Sequence, residues 1–487
     1  MFVGSRRLRS GSLEKAAHRW FHTGVFTSTE ASNMTRQWLS GKFRIDSAQR
    51  NCLLVFAAIV LLSSGCSTPA AVDGAGTAEA TADPDVFSFP AEWEAHDAVW
   101  VAWVAGTERN SDRTKVMNAM TVDIIRALRA RVPLEVVVES APAAAEVEKR
   151  LREEDAWTED LTFRIHERPY FWMRDPGPLF LTNGAGKLRV ADFGWNSYGA
   201  EAGADELSER AKIIGDYDSY FGNELAIEVV STDIVSEGGG MSVNGRGTMM
   251  ATRQTALQRN PGHTLEEIEA EYLRLMGQKK IVWVERSLVE DLYLDGPIAE
   301  NYVGGGANGH LDEYARFVGP STILLAEIPK NEIHDNPVNL LNYYALEENY
   351  RSLLGQTDQD GNRFEIIRIP MPEVDPMVRE SQLQENNRNL EAFEAAGLKP
   401  GDTLLRVAAA SYLNYLVTNE VVLIAEYWEE GMPESQREKD EQALKIFTEL
   451  FPDREVIQLR PRGINYYGGG IHCATQQQPV VASHSGG

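Results

Sequence analysis

Three glycine triplets, Gly238–Gly240, Gly304–Gly306 and Gly468–Gly470, recur along this chain and constrain its folding more than any other feature. Each stands close to a side chain able to do chemistry: Glu237, His310 and Cys473 in turn. Glycine lets the backbone turn tightly or approach a ligand closely. A single triplet is ordinarily just a loop. Repeated beside reactive residue types, it points to a repeated supersecondary unit whose copies each send a loop to one shared site.

The segments between the triplets alternate in period. Thr114 to Ala130 places Val116, Met117, Met120, Ile124, Ala127 and Leu128 on one helical face. In HTLEEIEAEYLRLM, Thr264 and Glu267 make a capping box ahead of a helix. Pro433 to Leu450 also reads as a helix. Asp97–Trp103, Leu134–Glu139, Ile281–Val284, Ser321–Ala326 and Val421–Ala425 read as strands. The alternation predicts an α/β fold, with residues 87–487 forming one domain.

Residues 1–65 read as a targeting signal and 66–86 as a flexible Ala/Gly/Thr/Pro tether. Arg36, Lys42, Arg44 and Arg50 precede the apolar run Asn51–Leu62, which is short for a membrane span. The run ends at SSGC, so Cys66 is expected to be the lipidated first residue of a mature lipoprotein in the cell envelope. An ordinary signal peptide or an uncleaved anchor are the other readings, and a start at Met34 would give a more usual leader.

Once that signal is removed, Cys473 is the lone thiol of the folded body. A lone Cys after a glycine run suggests a nucleophile. Asp175 in FWMRDPGP, Glu237 in SEGGGMSVNG, and His310 with Asp312 in ANGHLDEYARF are acid and base candidates. If His310 and Asp312 lie on a strand, they share a face. Taken singly, each has a plain structural explanation. Together they have the composition of a thiol enzyme with a cation pocket. Several carboxylates around one thiolate repel it, and a guanidinium would relieve that repulsion through paired hydrogen bonds.

The charge agrees with a cationic ligand and disfavours nucleic acid. The chain carries −25, and its first 65 residues carry nine basic and three acidic side chains, leaving about −31 on the rest. A papain-like protease fits poorly, because Cys473 follows His310 and lies near the end. No HExxH, CxxC or nucleotide-binding fingerprint appears in the body. His472, next to Cys473, would face away on a strand and reads as structural.

The ordered motifs FPAEWEAHDAVWVAW, FWMRDPGP, VADFGWNSYG, EGGGMSVNGRGT, GHLDEYARF, ASYLNYLVTNEVVL and GGGIHCATQQQP resemble those of the agmatine deiminase and Porphyromonas-type peptidylarginine deiminase family, within the pentein superfamily. The resemblance spans nearly the whole body. It implies a five-bladed propeller of ββαβ-type units around a central pocket. It implies Cys473 as nucleophile, His310 as general acid/base and Glu237 as its support. Asp175 and Asp312 would hold the guanidinium, with Trp93, Trp172, Asn196 and Asn414 near the pocket. The implied reaction turns agmatine into N-carbamoylputrescine and ammonia through a thiouronium, with no metal or cofactor. Peptidyl-arginine is the alternative substrate, and a non-catalytic guanidinium-binding lipoprotein is the alternative of another class. Asn244 and Ser242 depart from the family pattern, as does a long segment between Glu290 and Gly309, and these differences are expected to touch the substrate-selecting surroundings.

Overall fold

The computed structural model describes residues 86–104, 112–292, 296–387 and 389–481. The targeting signal, the tether and Cys66 lie outside the described residues.

Five copies of one unit make up the fold. Each has an antiparallel strand pair, then a helical connection, then a third strand parallel to the second. The second unit pairs Leu179–Asn183 with Leu188–Gly194, then adds Glu228–Val235. The third joins Met241–Val243, Thr248–Thr252 and Lys280–Val284. The fourth joins Ala315–Gly319, Thr322–Glu327 and Glu365–Pro370. The fifth joins Leu416–Val417, Val421–Ala425 and Glu455–Leu459. In the first unit the chain ends meet: Gln476–Pro479 pairs antiparallel with His96–Ala102, which is parallel to Leu134–Val138. C-terminal and N-terminal segments thus share one sheet, and the circle of units closes.

Local sequence explains the elements. The strand VVLIA at Val421–Ala425 is buried along its whole length, as expected for a strand covered on both faces. Helix Leu265–Met276 has the capping box of Thr264 and Glu267, and it ends at Gly277 in the left-handed region, φ 62°. A side chain there would also collide with the carbonyl of Phe87, 2.0 Å from a built Cβ. The predicted strands and helices are all present, with ends shifted by one or two residues.

A sixth sheet stands outside the repeat. It orders Pro297–Ala299, Tyr302–Val303, Thr403–Val407 and Val378–Gln382 side by side. The long segment between Glu290 and Gly309 supplies its first two strands. The other departures from the family pattern lie elsewhere and correct the expectation drawn from them. Asn244 closes a hairpin, accepting from the amides of Arg246 and Thr248 at 2.9 Å each. Ser242 accepts from the Phe317 amide at 3.1 Å.

Candidate active site

The reactive residues occupy the same place in successive units: the turn just before the unit's first strand. Asp175 precedes Leu179–Asn183, and Glu237 precedes Met241–Val243. Asp312 precedes Ala315–Gly319, Asn414 precedes Leu416–Val417, and Cys473 precedes Gln476–Pro479. A fivefold arrangement brings these turns together, which is why residues up to 298 positions apart in sequence are neighbours.

Close approach is what the glycines permit. A Cβ on Gly239 would sit 2.5 Å from His310 Nδ1, 3.0 Å from Asp175 Oδ1 and 3.1 Å from Asp312 Oδ2. One on Gly469 would sit 2.9 Å from Cys473 Sγ, and one on Gly470 would sit 2.7 Å from Asn414 Oδ1. The triplets therefore wall the site with bare backbone.

Cys473 Sγ is buried, 3.3 Å from Asp312 Oδ2 and 3.0 Å from Asn414 Nδ2, which donates to it. Asn414 also donates to Glu313 at 2.9 Å, and its Oδ1 accepts from the Cys473 amide at 3.2 Å. Burial, reinforced by Asp312, Glu313 and Asp175, pushes the thiol well above its ordinary value. Glu313, buried among the same acids, is pushed well above the usual carboxyl range.

His310 lies in a cage of carboxylates. Its Nδ1 is 3.6 Å from Asp175 Oδ1 and 3.9 Å from Asp312 Oδ1, and its Nε2 is 3.4 Å from Glu237 Oε2. Burial favours the neutral ring, but Asp175, Glu237 and Asp312 outweigh it and raise His310 to about 9. Glu237 is itself fixed by Arg259 Nε at 2.8 Å. Burial pushes Glu237 up, but Arg259 and His310 together bring it down to about 2. Asp175 moves the other way, raised to about 6 by burial and by its acidic neighbours despite His310. His310 Nδ1 and Nε2, Asp312 Oδ1 and Glu313 Oε2 are buried without a hydrogen-bond partner.

Two expectations are corrected. His310 and Asp312 do not share a strand. His310 caps a short 3₁₀ turn, Leu311–Glu313, whose tight winding still brings His310 Nδ1 to 3.9 Å from Asp312, which reaches Cys473. His472 is likewise not on a strand, and it does not face away. Its Nδ1 lies 2.7 Å from Asp312 Oδ2, and its Nε2 lies 3.1 Å from Glu92 Oε2. Glu92 in turn is paired with Arg316, so a buried chain of charges holds Asp312 in place.

The four less certain residues separate clearly. Asn414 touches the sulfur. Trp172 approaches to 3.1 Å of a Cβ built on Gly469 and lines the cavity above the site. Asn196 acts one step back: it donates to Arg259 O at 2.8 Å and accepts from the Gly199 amide at 2.8 Å. That brackets Ser197 and Tyr198, both at φ 58°, a conformation costing non-glycine residues about 1–3 kcal/mol each. The strained Tyr198 hydroxyl donates to Asp175 Oδ2 at 2.8 Å. Trp93 packs against the core around the fourth and fifth units.

Sequence reasoning missed Glu92, Tyr198, Arg259, Asp291 and Glu313. Asp291 accepts from the amides of Ala307, Gly309 and His310 at 2.6–2.7 Å and so fixes the loop that carries His310. The acid pair Glu290–Asp291, between Val289 and Leu292, carries no signal of that role. Glu313 was in view inside GHLDEYARF, beside Asp312. Among the described residues, Asp312, Glu313 and Cys473 are grouped with donor atoms within 4.8 Å of one another, close enough to hold a cation.

A buried thiol, a protonated histidine and converging carboxylates define a thiol hydrolase built to receive a planar cation, and the comparisons with known proteins agree. The Porphyromonas-type peptidyl-arginine deiminase family model matches residues 88–479, and the chain belongs to that family. The agmatine deiminase of Pseudomonas aeruginosa is 27% identical over 406 residues, covering 81% of this chain and 96% of the relative. A Streptomyces avermitilis protein that bears that name provisionally is 30% identical over 400 residues, covering 81% and 98%. The solved agmatine deiminase of Enterococcus faecalis, 23% identical, matches the fold with a TM-score of 0.59 over 82% of this chain and 97% of its own. The chain is a hydrolase of amidine C–N bonds that acts on guanidino compounds.

Proposed function

We propose that Cys473 deiminates its substrate through a covalent thiouronium, with agmatine, giving N-carbamoylputrescine and ammonia, as the reading the relatives' names support. The observation that carries the mechanism is that Asp312 reaches both Cys473 Sγ, at 3.3 Å, and His310 Nδ1, at 3.9 Å, with the carboxylates around His310 raising it to about 9. Burial and the neighbouring acids together push the thiol well above its ordinary value. A guanidinium between Asp175 and Asp312 cancels that repulsion and lowers the thiol, which releases its proton to solvent. The thiolate then adds to the guanidinium carbon. His310 gives its proton to one nitrogen, which leaves as ammonia, and the carbon stays bound to sulfur as a thiouronium. Neutral His310 next takes a proton from water. The hydroxyl adds, the C–S bond breaks, and the ureido product leaves.

The test is intact-mass analysis after acid quench. A Cys473 adduct equal to substrate minus ammonia supports the covalent path. Turnover without any adduct, in a variant with slowed hydrolysis, would favour direct attack by water.

Arginine that keeps its carboxylate is a second reading, favoured by the arginines that line the cavity. Envelope anchoring through Cys66 is proposed on the sequence alone. Cys66→Ala should release the protein from membrane fractions. Retention there would defeat the anchor.

A further inference from the structure

Two buried histidines flank Asp312, and the mechanism above uses only one of them. His310 must keep its proton for the departing nitrogen, and the carboxylates around it hold it near 9. It is therefore no acceptor for the proton that Cys473 has to lose. His472 moves the other way. Burial, Arg174 and Arg316 push it below the ordinary histidine value, against the pull of Glu92 and Asp312, and leave it a neutral ring. Two groups whose surroundings push their pKa values apart mark the acid and the base of one site.

The geometry connects His472 to the thiol. Asp312 divides its two oxygens. Oδ1 is buried without a hydrogen-bond partner and lies 3.9 Å from His310 Nδ1, open to a guanidinium. Oδ2 lies 3.3 Å from Cys473 Sγ and 2.7 Å from His472 Nδ1. The other ring nitrogen, Nε2, lies 3.1 Å from Glu92 Oε2. Arg316 holds Glu92 there, and Gln477 Nε2 donates to it at 3.2 Å. The Glu92 side chain is 12% exposed, whereas those of His472 and Asp312 are sealed. It lines a small cleft with Phe89, His96 and Gln477, and that cleft shares no residue with the cavity above Cys473. Sulfur, Asp312, His472 and Glu92 thus run in an unbroken line from the buried thiol to a second opening.

We propose that His472 carries the proton of Cys473 out of the site, receiving it through Asp312 and passing one on through Glu92 to the second opening. This rests on the deiminase reading, which requires a thiolate. The neutral ring holds its proton on Nε2, donated to Glu92, and presents Nδ1 to Asp312. The S–H bond breaks and its electron pair stays on sulfur. Asp312 Oδ2 takes the proton and hands it to Nδ1, where an N–H bond forms. The Nε2 proton moves onto Glu92 and from there to solvent. Asp312 is ionised again, so its Oδ1 keeps the guanidinium. Once the C–S bond has broken, the freed thiolate is reprotonated along the same path, and the ring returns to its first form.

The experiment reads the thiolate by the rate at which chloroacetamidine alkylates Cys473, beside kcat/KM for agmatine and free arginine. The reagent is a planar amidinium whose chloride the thiolate displaces. His472→Gln should slow alkylation and turnover alike by about 10²-fold, the low end of what a lost proton-transfer group costs. Both slowed rates should also become more sensitive to D₂O than the native ones. Arginine affinity, measured by calorimetry on Cys473→Ala with and without His472→Gln, should change by less than about threefold. A residue that only held Asp312 in place would weaken binding as well. Glu92→Asp keeps a charge facing Arg316 but withdraws the carboxylate from Nε2, and should cost the same rates about tenfold. Native rates in His472→Gln, or a loss of affinity that matches the loss of rate, would overturn the proposal. So would native rates in Glu92→Asp, the deciding variant should His472→Gln fail to fold. Alkylation without turnover of any guanidine defeats the deiminase reading, and the alkylation rates still judge the proton path. A native Cys473 that resists the reagent defeats both.

Discussion

The floor and the rim of the cavity differ in sign, in origin and in how firmly they are built. Asp175, Glu237, Asp312 and Glu313 make the floor, the reactive site linked to the cavity lining through Tyr198, acidic, and all are buried. They come from equivalent turns of the repeated unit, and each carboxylate has at least one hydrogen bond or ion pair holding it. Arg379 and Arg406 make the rim basic, and they come from a sheet that the repeat does not contain. They face each other, and among the described residues no carboxylate pairs with either. The contrast separates two tasks. The repeat brings the reactive side chains together, and the added sheet brings two facing arginines to the cavity lining.

Substitutions at the floor should therefore cost rate, and those at the rim should change preference. The largest effect is expected at His310. His310→Gln removes the histidine that the surrounding carboxylates raise to about 9, and it should lower kcat by about 10²–10⁴-fold in steady-state assays. A residual rate within tenfold of the native one would show that another group moves the proton.

Glu237→Gln should be the most damaging to stability. It leaves Arg259 buried with its charge uncompensated, and breaking such a pair costs about 3–5 kcal/mol, readable by denaturant unfolding. The pair with His310 also has a signed pH dependence. His310 is held near 9 against an ordinary 6.5, so its contribution is complete below pH 6.5 and is lost as pH rises through about 9. Glu237 is held near 2 against 4.5, so its contribution is complete above pH 4.5 and is lost as pH falls toward 2. Unfolding free energies that stay flat from pH 6.5 to 10 would contradict the cage around His310.

Gly239→Ala should follow, at about 1–3 kcal/mol of overpacking, because its methyl would meet His310 and two carboxylates. Its signature is a loss of activity larger than the loss of stability. In the native protein kcat/KM should rise through pH 6 as Asp175 ionises and fall through pH 9 as His310 loses its proton. A profile still rising past pH 9 would instead make thiol ionisation limiting. The rim substitutions come last, at about tenfold in substrate preference.

Legibility in the sequence follows the same division. Periodicity, the capping box and the glycine triplets exposed the repeated unit, because each unit solves its packing locally. Cys473, His310, Asp175, Asp312 and Glu237 were readable because each stands in a short motif of unusual composition. The supports were not. Arg259, Asp291 and Tyr198 act through contacts to residues 19–23 positions away, which the local pattern around each does not reveal. His472 was misread because a strand was assumed where the chain turns before Gln476. The rim was invisible for a further reason. Arg379 and Arg406 lie 27 positions apart and become partners only when the sixth sheet aligns them.

The central claim is that Cys473 makes this chain a guanidine deiminase. The most direct test measures ureido product and ammonia, in equal amounts, from agmatine, free arginine and arginine peptides, using the purified protein beside its Cys473→Ala variant. The account predicts stoichiometric product from at least one of these substrates and none from the variant. Turnover that survives in Cys473→Ala, or a native protein inert toward every guanidine offered, would contradict it.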